Sequence, residues 1–385
     1  MNQQLVILTV TCVNFFMLAF IAFFNPLKVN IIANRWFGLF LFSAGSAMLD
    51  AIIHAAKAEE QYRQLIAFNG LSRYAMAPAL YLSVLHYTSP DKVFKKSEYL
   101  HFIPFLIFFI CTASFVFKPY VTFFNADQFP ILFKKLLQIF IVLSIQVQIV
   151  VYWLLSYYQL TKHQKNIRLV TSNTVPVNLN WLKLLLLGIL FMILLSFNRI
   201  LRIQFLNDYS SLGYLAGTLF IAYFLLAQKE IYPYEKTELE DIDLIINEDR
   251  KTPIIKARFS DGNLALLKTR ITTLMETERL FLDNELSLPE LAKEMNISSH
   301  DLSYLLNEGF GVNFFQFINT YRVNEAKQLI LSEKYRHLNL LGIAYSAGFN
   351  SKTTFNTTFK KETGLSPSQF IQQAKTIVVP AASIQ

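Results

Sequence analysis

A chain of 385 residues, 53% of them apolar and 36 of them Phe, is too apolar for an ordinary soluble protein and has room for two or three domains. The net charge of +8 invites a nucleic-acid reading, but residues 1–230 hold 18 Lys/Arg against 8 Asp/Glu, 231–284 hold 8 against 11, and 285–385 hold 9 against 8. The basic excess lies in the apolar half, so the charge is a topology signal and no evidence for DNA.

Cys12 and Cys111 fall in apolar runs with no CxxC and no Cys/His cluster, and argue for neither disulfide nor zinc. The first apolar run follows only Met-Asn-Gln-Gln, without the positive start of a signal peptide, and is expected to be retained. In chain order, seven stretches reach or approach the ~20 residues that cross ~30 Å of hydrocarbon. They are 4–24, 36–56, 65–87, 99–117, 136–158, 181–201 and 209–227. All are expected as helices, because backbone groups in lipid need internal partners. The expected fold class is therefore all-α: a seven-helix transmembrane sensor bundle over 1–227, followed by a soluble double helix-turn-helix domain. Seven crossings with a cytoplasmic tail place the N-terminus outside. Eight loop cations then fall inside against six outside, in weak agreement with the positive-inside rule. Trp36, Trp153 and Trp181 come near inner helix ends, where an indole is half wet.

Polar residues inside spans are costly, so their positions carry information. Asp50 and His54, four apart on one helical face, share the outer part of the second span. Asn69 and Arg73 come at a similar depth in the third, which also contains Pro78, and Asn198, Arg199 and Arg202 close the sixth. Two readings stay open. These seven polar residues line an outward pocket for a small ligand, or an Asp50–Arg73 ion pair holds two helices while Arg199 and Arg202 snorkel to the surface. Gly213-Tyr-Leu-Ala-Gly217 has the small-xxx-small spacing of close helix packing, within the bundle or between copies.

At Gln228 the chain turns charged and acidic, and 228–284 reads as a cytoplasmic linker and connecting helix. The seam Leu264, Leu267, Ile271 and Leu274 suits a dimerisation stalk or packing on the next domain equally.

Residues 287–307, "SLPELAKEMNISSHDLSYLLN", have helix-turn-helix spacing: Leu288, Leu291 and Ala292 inward, a turn at Met295-Asn296-Ile297, then Leu302, Leu305 and Leu306 inward. About fifty residues later "LNLLGIAYSAGFNSKTTFNTTFKKETG" repeats the plan, with Gly348 at the turn and Phe355 and Phe359 as anchors. A long helix is expected between them.

These residues resemble the AraC/XylS-type transcription regulators. The resemblance runs over 285–372 and rests on Ile343-Ala344, Gly348-Phe349, Ser351, Phe355, Phe359-Lys360-Lys361, Gly364, Ser366-Pro367 and Phe370, with Leu302, Gly311, Phe314, Tyr321-Arg322 and Ala326 upstream. It implies two helix-turn-helix units on a rigid helix, binding double-stranded DNA as a homodimer on repeated sites. Carried over by position, Ser299, His300, Ser303, Tyr304 and Asn307 of the first unit face DNA, as do Asn350, Ser351, Lys352, Thr353, Asn356, Thr357 and Lys360 of the second. Tyr304, Thr357 and Phe370-Ile371 depart from the family pattern. Residues 373–385 form a tail, and Arg322 is expected to support structure.

Together the halves imply a one-component regulator in the bacterial cytoplasmic membrane, bound to lipid and responding to an unidentified small-molecule or envelope signal. No cofactor or metal is expected. The absence of HExxH, a Walker loop and an intramembrane carboxylate pair argues against an enzyme. A transporter with a regulatory tail is the alternative, although no internal repeat supports it.

Overall fold

In the computed structural model, residues 3–26, 28–89, 96–116, 130–169, 171–172, 179–201, 203–228, 259, 261–335 and 337–378 are described. Most of the connector, Arg202, the loop cations Lys92, Lys95 and Lys118, and the end of the tail lie outside them. So do the side chains of Arg199 and Cys111.

The chain divides into two compact units, Met1–Lys162 with Leu179–Pro233, and His163–Asn178 with Tyr234–Gln385. The first is built from α1 (Gln3–Phe24), α2 (Ile31–Ala55), α3 (Arg63–Thr88), α4 (Ile103–Val116), most of α5 (Ile131–Asn166), α6 (Asn180–Ser196), α7 (Asn198–Leu201) and α8 (Gln204–Leu226). Its core joins Phe15 and Leu18 of α1 to Phe37 and Leu41 of α2, Leu80 and Val84 of α3, and Leu182 and Leu186 of α6. Small residues set the closest approaches. A Cβ on Gly38 would lie 3.0 Å from the Ala19 carbonyl oxygen, so α1 and α2 meet nearly backbone to backbone. Gly213 and Gly217 meet Leu195 and Met192, so that motif packs α8 on α6 inside the unit.

A ring of three polar groups joins α2, α3 and the residue that follows α8 by two. Asn34 Nδ2 donates to Gln228 Oε1 at 2.9 Å, Gln228 Nε2 donates to Tyr87 Oη at 2.8 Å, and Tyr87 donates to Asn34 Oδ1. Gln228, from which the linker reading starts, thus packs with the apolar helices. Trp153 also departs from expectation: it is buried, and its indole donates to the Leu186 carbonyl at 2.8 Å.

The expected seven-helix bundle followed by a double helix-turn-helix domain is not what forms. Among the described residues there are fifteen α-helices, of which four are long and apolar enough to cross a membrane: Gln3–Phe24, Ile31–Ala55, Lys135–Asn166 and Tyr209–Leu226. The physical reasons differ for the other three. α3 has 26 residues but buries Asn69 and Ser72 and carries Arg73, so its composition is that of an interior helix. α4 has 14 residues. α6 stops at Ser196 after 17 residues, and the four-residue α7 follows, so the 181–201 stretch is broken. An external N-terminus depended on an odd count of seven and loses its basis with it. Nor does the second unit simply follow the first in sequence, because the segment between α5 and α6 belongs to it.

In the second unit α9 (Asp261–Thr273) leads into α10 (Leu288–Glu294), α11 (Ser299–Tyr304), α12 (Phe314–Leu331), α13 (Leu340–Ser346), α14 (Lys352–Thr363) and α15 (Pro367–Val378). Each start has a local cause. Ser287 and Glu290 form a capping box on α10, Asn313 and Gln316 one on α12, and Asn339 and Ser351 cap α13 and α14. Asn296 turns the chain at a φ of 52° and Gly364 ends α14 at 76°. The seam of α9 is spent within the unit: Ile271 is fully buried and Leu274 half-buried. One core gathers Val323, Ala326, Ile343, Ala344, Phe355 and Phe359 around α12.

Candidate nucleic-acid interface

Helix α14 separates its residues by face. Phe355, Thr358 and Phe359 are buried, while Lys352, Thr353, Asn356, Thr357 and Lys360 are exposed in one stripe at spacings of one and four. This stripe offers two ammonium groups, an amide and two hydroxyls, the groups that meet phosphates and base edges. Of the remaining expected residues of this pair, Ser351 spends its hydroxyl on the Thr354 N–H as the helix cap, and Asn350 is half-buried.

The α10–α11 pair presents less. Ser299 is 4% exposed. His300, Ser303 and Tyr304 are half-buried, and the Tyr304 ring meets Phe259 edge-on at 5.8 Å. Asn307 is exposed, with its amide donating to the Ser303 carbonyl.

An open groove of about 520 Å³ lies between α14 and α15 and is lined by Asn356, Thr357, Lys360, Lys361, Ser366 and Ser368. Lys361, Ser366 and Ser368 were not among the residues read as DNA-facing. The Lys360-Lys361 doublet just before the Gly364 turn was the available signal, because a helix C-terminus followed closely by a helix N-terminus brings lysines to backbone N–H groups, an anion-favouring combination.

Behind this surface sits Arg322 of α12, 1% exposed and the largest fully buried side chain. Its Nε donates to the Phe281 carbonyl at 2.7 Å, and its Nη2 donates to the Asp283 carbonyl at 2.6 Å and to Ser172 Oγ at 3.1 Å. Burial brings the guanidinium down to about 10, against the pull of the Asp283 carboxylate, and it stays charged at neutral pH. Ser172 in turn donates to the Leu286 carbonyl at 2.6 Å, and Thr171 pairs with Ser287 as an isolated antiparallel bridge. Ile167, Thr171 and Ser172 are all buried in this unit. A buried charge needs its acceptors, so this short segment from between two apolar helices is a structural part of the unit.

Of the seven polar residues of the apolar half, the five whose side chains are described do not all meet one another. Asp50 is buried, ion-paired with Arg73 and bonded by Asn69 Nδ2 at 2.8 Å. His54 is exposed and meets Glu59 at 3.0 Å. Asn198 is buried and accepts the Ile203 N–H at 2.8 Å. Arg73 and Asn198 do line one common cavity.

Comparison with known proteins points the same way as the second unit. The family described as "Helix-turn-helix domain" matches residues 291–373. Over 101 residues, 26% of this chain, it is 33% identical to uncharacterized HTH-type transcriptional regulators of Staphylococcus aureus strains COL and MSSA476. It is 24% identical over 127 residues to the transcriptional regulatory protein HptR of S. aureus strain NCTC 8325, covering 33% of this chain and 46% of that protein. The chain spans only 13% of the length of the first two. No solved structure matches. The relatives are named as transcription regulators, and the residues that the family matches cover the second unit's helix pairs. Among the described residues no group of three or more His, Cys, Asp or Glu is placed to hold a metal.

Proposed function

We propose that this chain is a membrane-bound, one-component transcription regulator of the AraC/XylS type, which binds double-stranded DNA through the helix pairs flanking α12. α11 and α14 are the reading helices, set into successive major-groove segments, with α14 contributing the larger share of polar contacts. The second unit faces the cytoplasm, where the chromosome is, and the DNA-bound form is a homodimer. The apolar helices hold the chain in the membrane and carry the signal.

One observation supports joining these roles in a single device: Ser172, between apolar helices α5 and α6, is a buried hydrogen-bond partner of Arg322 within the helix-turn-helix unit. A simple tether would leave that segment in solvent. The 36-residue α5 is about 54 Å long at ~1.5 Å per residue, more than the ~30 Å of hydrocarbon, so it has length to reach beyond the membrane.

The test is selection of random DNA by the full chain in lipid nanodiscs. A repeated half-site motif should be enriched, and Lys352→Ala and Asn356→Ala should each weaken it by about 1–3 kcal/mol where they meet a base, or evenly across sequences where they meet a phosphate. No enrichment from a folded preparation would remove the DNA reading.

A further inference from the structure

The first unit encloses a cavity of about 340 Å³, and its wall is divided by chemistry. Phe15, Phe40, Ile149, Ile189, Ile193 and Ile221 make an apolar side, while Gln146, Ser196, Asn198, Ser210, Ser211 and Tyr214 bring polar groups. Several of these are already engaged: Ser196 Oγ donates to the Ile193 carbonyl at 2.6 Å and to Gln146 Oε1 at 3.2 Å. Ser211 on α8 differs. It is 4% exposed, and its hydroxyl has no hydrogen-bond partner. A buried hydroxyl without a partner is costly, so a partner is expected from whatever fills the space.

Volume and charge narrow the occupant. The space equals about eleven waters at ~30 Å³ each, and water against a largely apolar wall is poorly held. It lies at the low end of the ~300–1,000 Å³ of small-molecule sites. Arg73 is the one side chain charged at neutral pH among the described lining residues, and its charge is met by Asp50. A ligand carboxylate would have to displace Asp50, and a ligand ammonium would meet no carboxylate among the described lining residues.

We propose that this cavity binds an uncharged amphiphile, with an aliphatic body against the Phe and Ile side and a hydroxyl-bearing head hydrogen-bonded to Ser211. The inference rests on reading the apolar helices as the sensing part, and it places sensing beside the Asp50–Arg73 pair instead of at it. The ion pair then serves to hold α2 to α3 and to keep the pocket neutral.

The experiment uses the full chain in nanodiscs, photolabelled with a long-chain aliphatic diazirine alcohol and with the carboxylate, amine and hydrocarbon of the same chain length. Expected is saturable labelling of cavity residues by the alcohol, competed by unlabelled alcohol. Ser211→Ala should weaken its apparent affinity by between about twofold and tenfold, the worth of one neutral hydrogen bond. Ala47→Leu, which fills the cavity and leaves the hydroxyl in place, should abolish saturation. Thermal melts check that both variants are folded. The proposal is overturned by labelling confined to outward residues such as Phe191 and Tyr223, by hydrocarbon labelling equal to that of the alcohol, or by preference for a charged head. DNA selection on the same preparation is a separate readout. Lost DNA binding with cavity labelling intact sinks the regulator reading alone, and intact DNA binding without saturable labelling sinks this site alone.

Discussion

Replacing Ser172 by Ala tests most directly whether the segment between α5 and α6 supports the helix pairs of the second unit. The hydroxyl makes two contacts in a fully buried place, donating to Leu286 O at 2.6 Å and accepting from Arg322 Nη2 at 3.1 Å. A neutral hydrogen bond is worth about 1 kcal/mol and one to a charged group about 1.5–3. The second term belongs at its low end, because Nη2 keeps the Asp283 carbonyl at 2.6 Å and the charge is not orphaned. The sum is about 2.5 kcal/mol, or roughly 70-fold in an opening equilibrium. Hydrogen exchange followed by mass spectrometry on the full chain reads this locally. Amides over 281–306 should exchange about 70-fold faster, with those of α1 to α3 unchanged. A change below about twofold over 281–306, or an equal acceleration throughout the apolar helices, would refute the reasoning. A fragment beginning at residue 255 lacks Ser172, Thr171 and Ile167 together, so its helix pairs should be destabilised by at least as much.

Gly348→Ala should prevent the second unit from folding, since φ is +86° and the new Cβ would lie 2.5 Å from the Phe281 carbonyl oxygen; circular dichroism of the expressed chain would show the loss. Lys361→Ala should lower the slope of log affinity against log salt by about 0.9 without changing the preferred motif, if the groove between α14 and α15 holds a phosphate. Arg73→Leu leaves Asp50 buried without its cation and should cost about 3–5 kcal/mol, whereas the double change with Asp50→Asn should recover most of that in a thermal melt.

The helix pairs were readable because their information is local. Leu288, Leu291, Leu302, Phe355 and Phe359 repeat at helical spacing, and all are buried. The stripe on α14 follows from the same periodicity, whereas the burial of Ser299 was not visible, because a short helix after a turn shifts which side is covered. Counting apolar stretches overstated the crossings. The count weighs length and mean apolarity, and it does not see that α3 has an interior composition or that α6 breaks at Phe197. Least legible was the Arg322–Ser172 contact, which joins residues 150 apart through a serine of no distinctive context. Arg322 was expected to support structure, and the acceptors that do hold it could not be named from the sequence.

The stretch from Phe281 to Ser287 joins the α5–α6 segment to both helix pairs of the second unit. Its carbonyls at 281 and 283 take the Arg322 guanidinium, and its carbonyl at 286 takes the Ser172 hydroxyl. Its last residue, Ser287, caps α10 and pairs with Thr171, and its first carbonyl stands where Gly348 must lack a side chain. The α5–α6 segment, the first helix pair and the turn of the second therefore share one short run of backbone. A displacement of Ser172 by even a fraction of its hydrogen-bond length must be absorbed there, and close-packed neighbours transmit strain instead of diluting it. For this to be regulation the run needs two alternative arrangements, each favoured by a different state of the apolar helices. The Ser172→Ala exchange pattern, measured with and without the aliphatic alcohol, addresses that point: a ligand that biases the two arrangements should change protection over 281–287 in the wild-type chain and lose that effect in the variant.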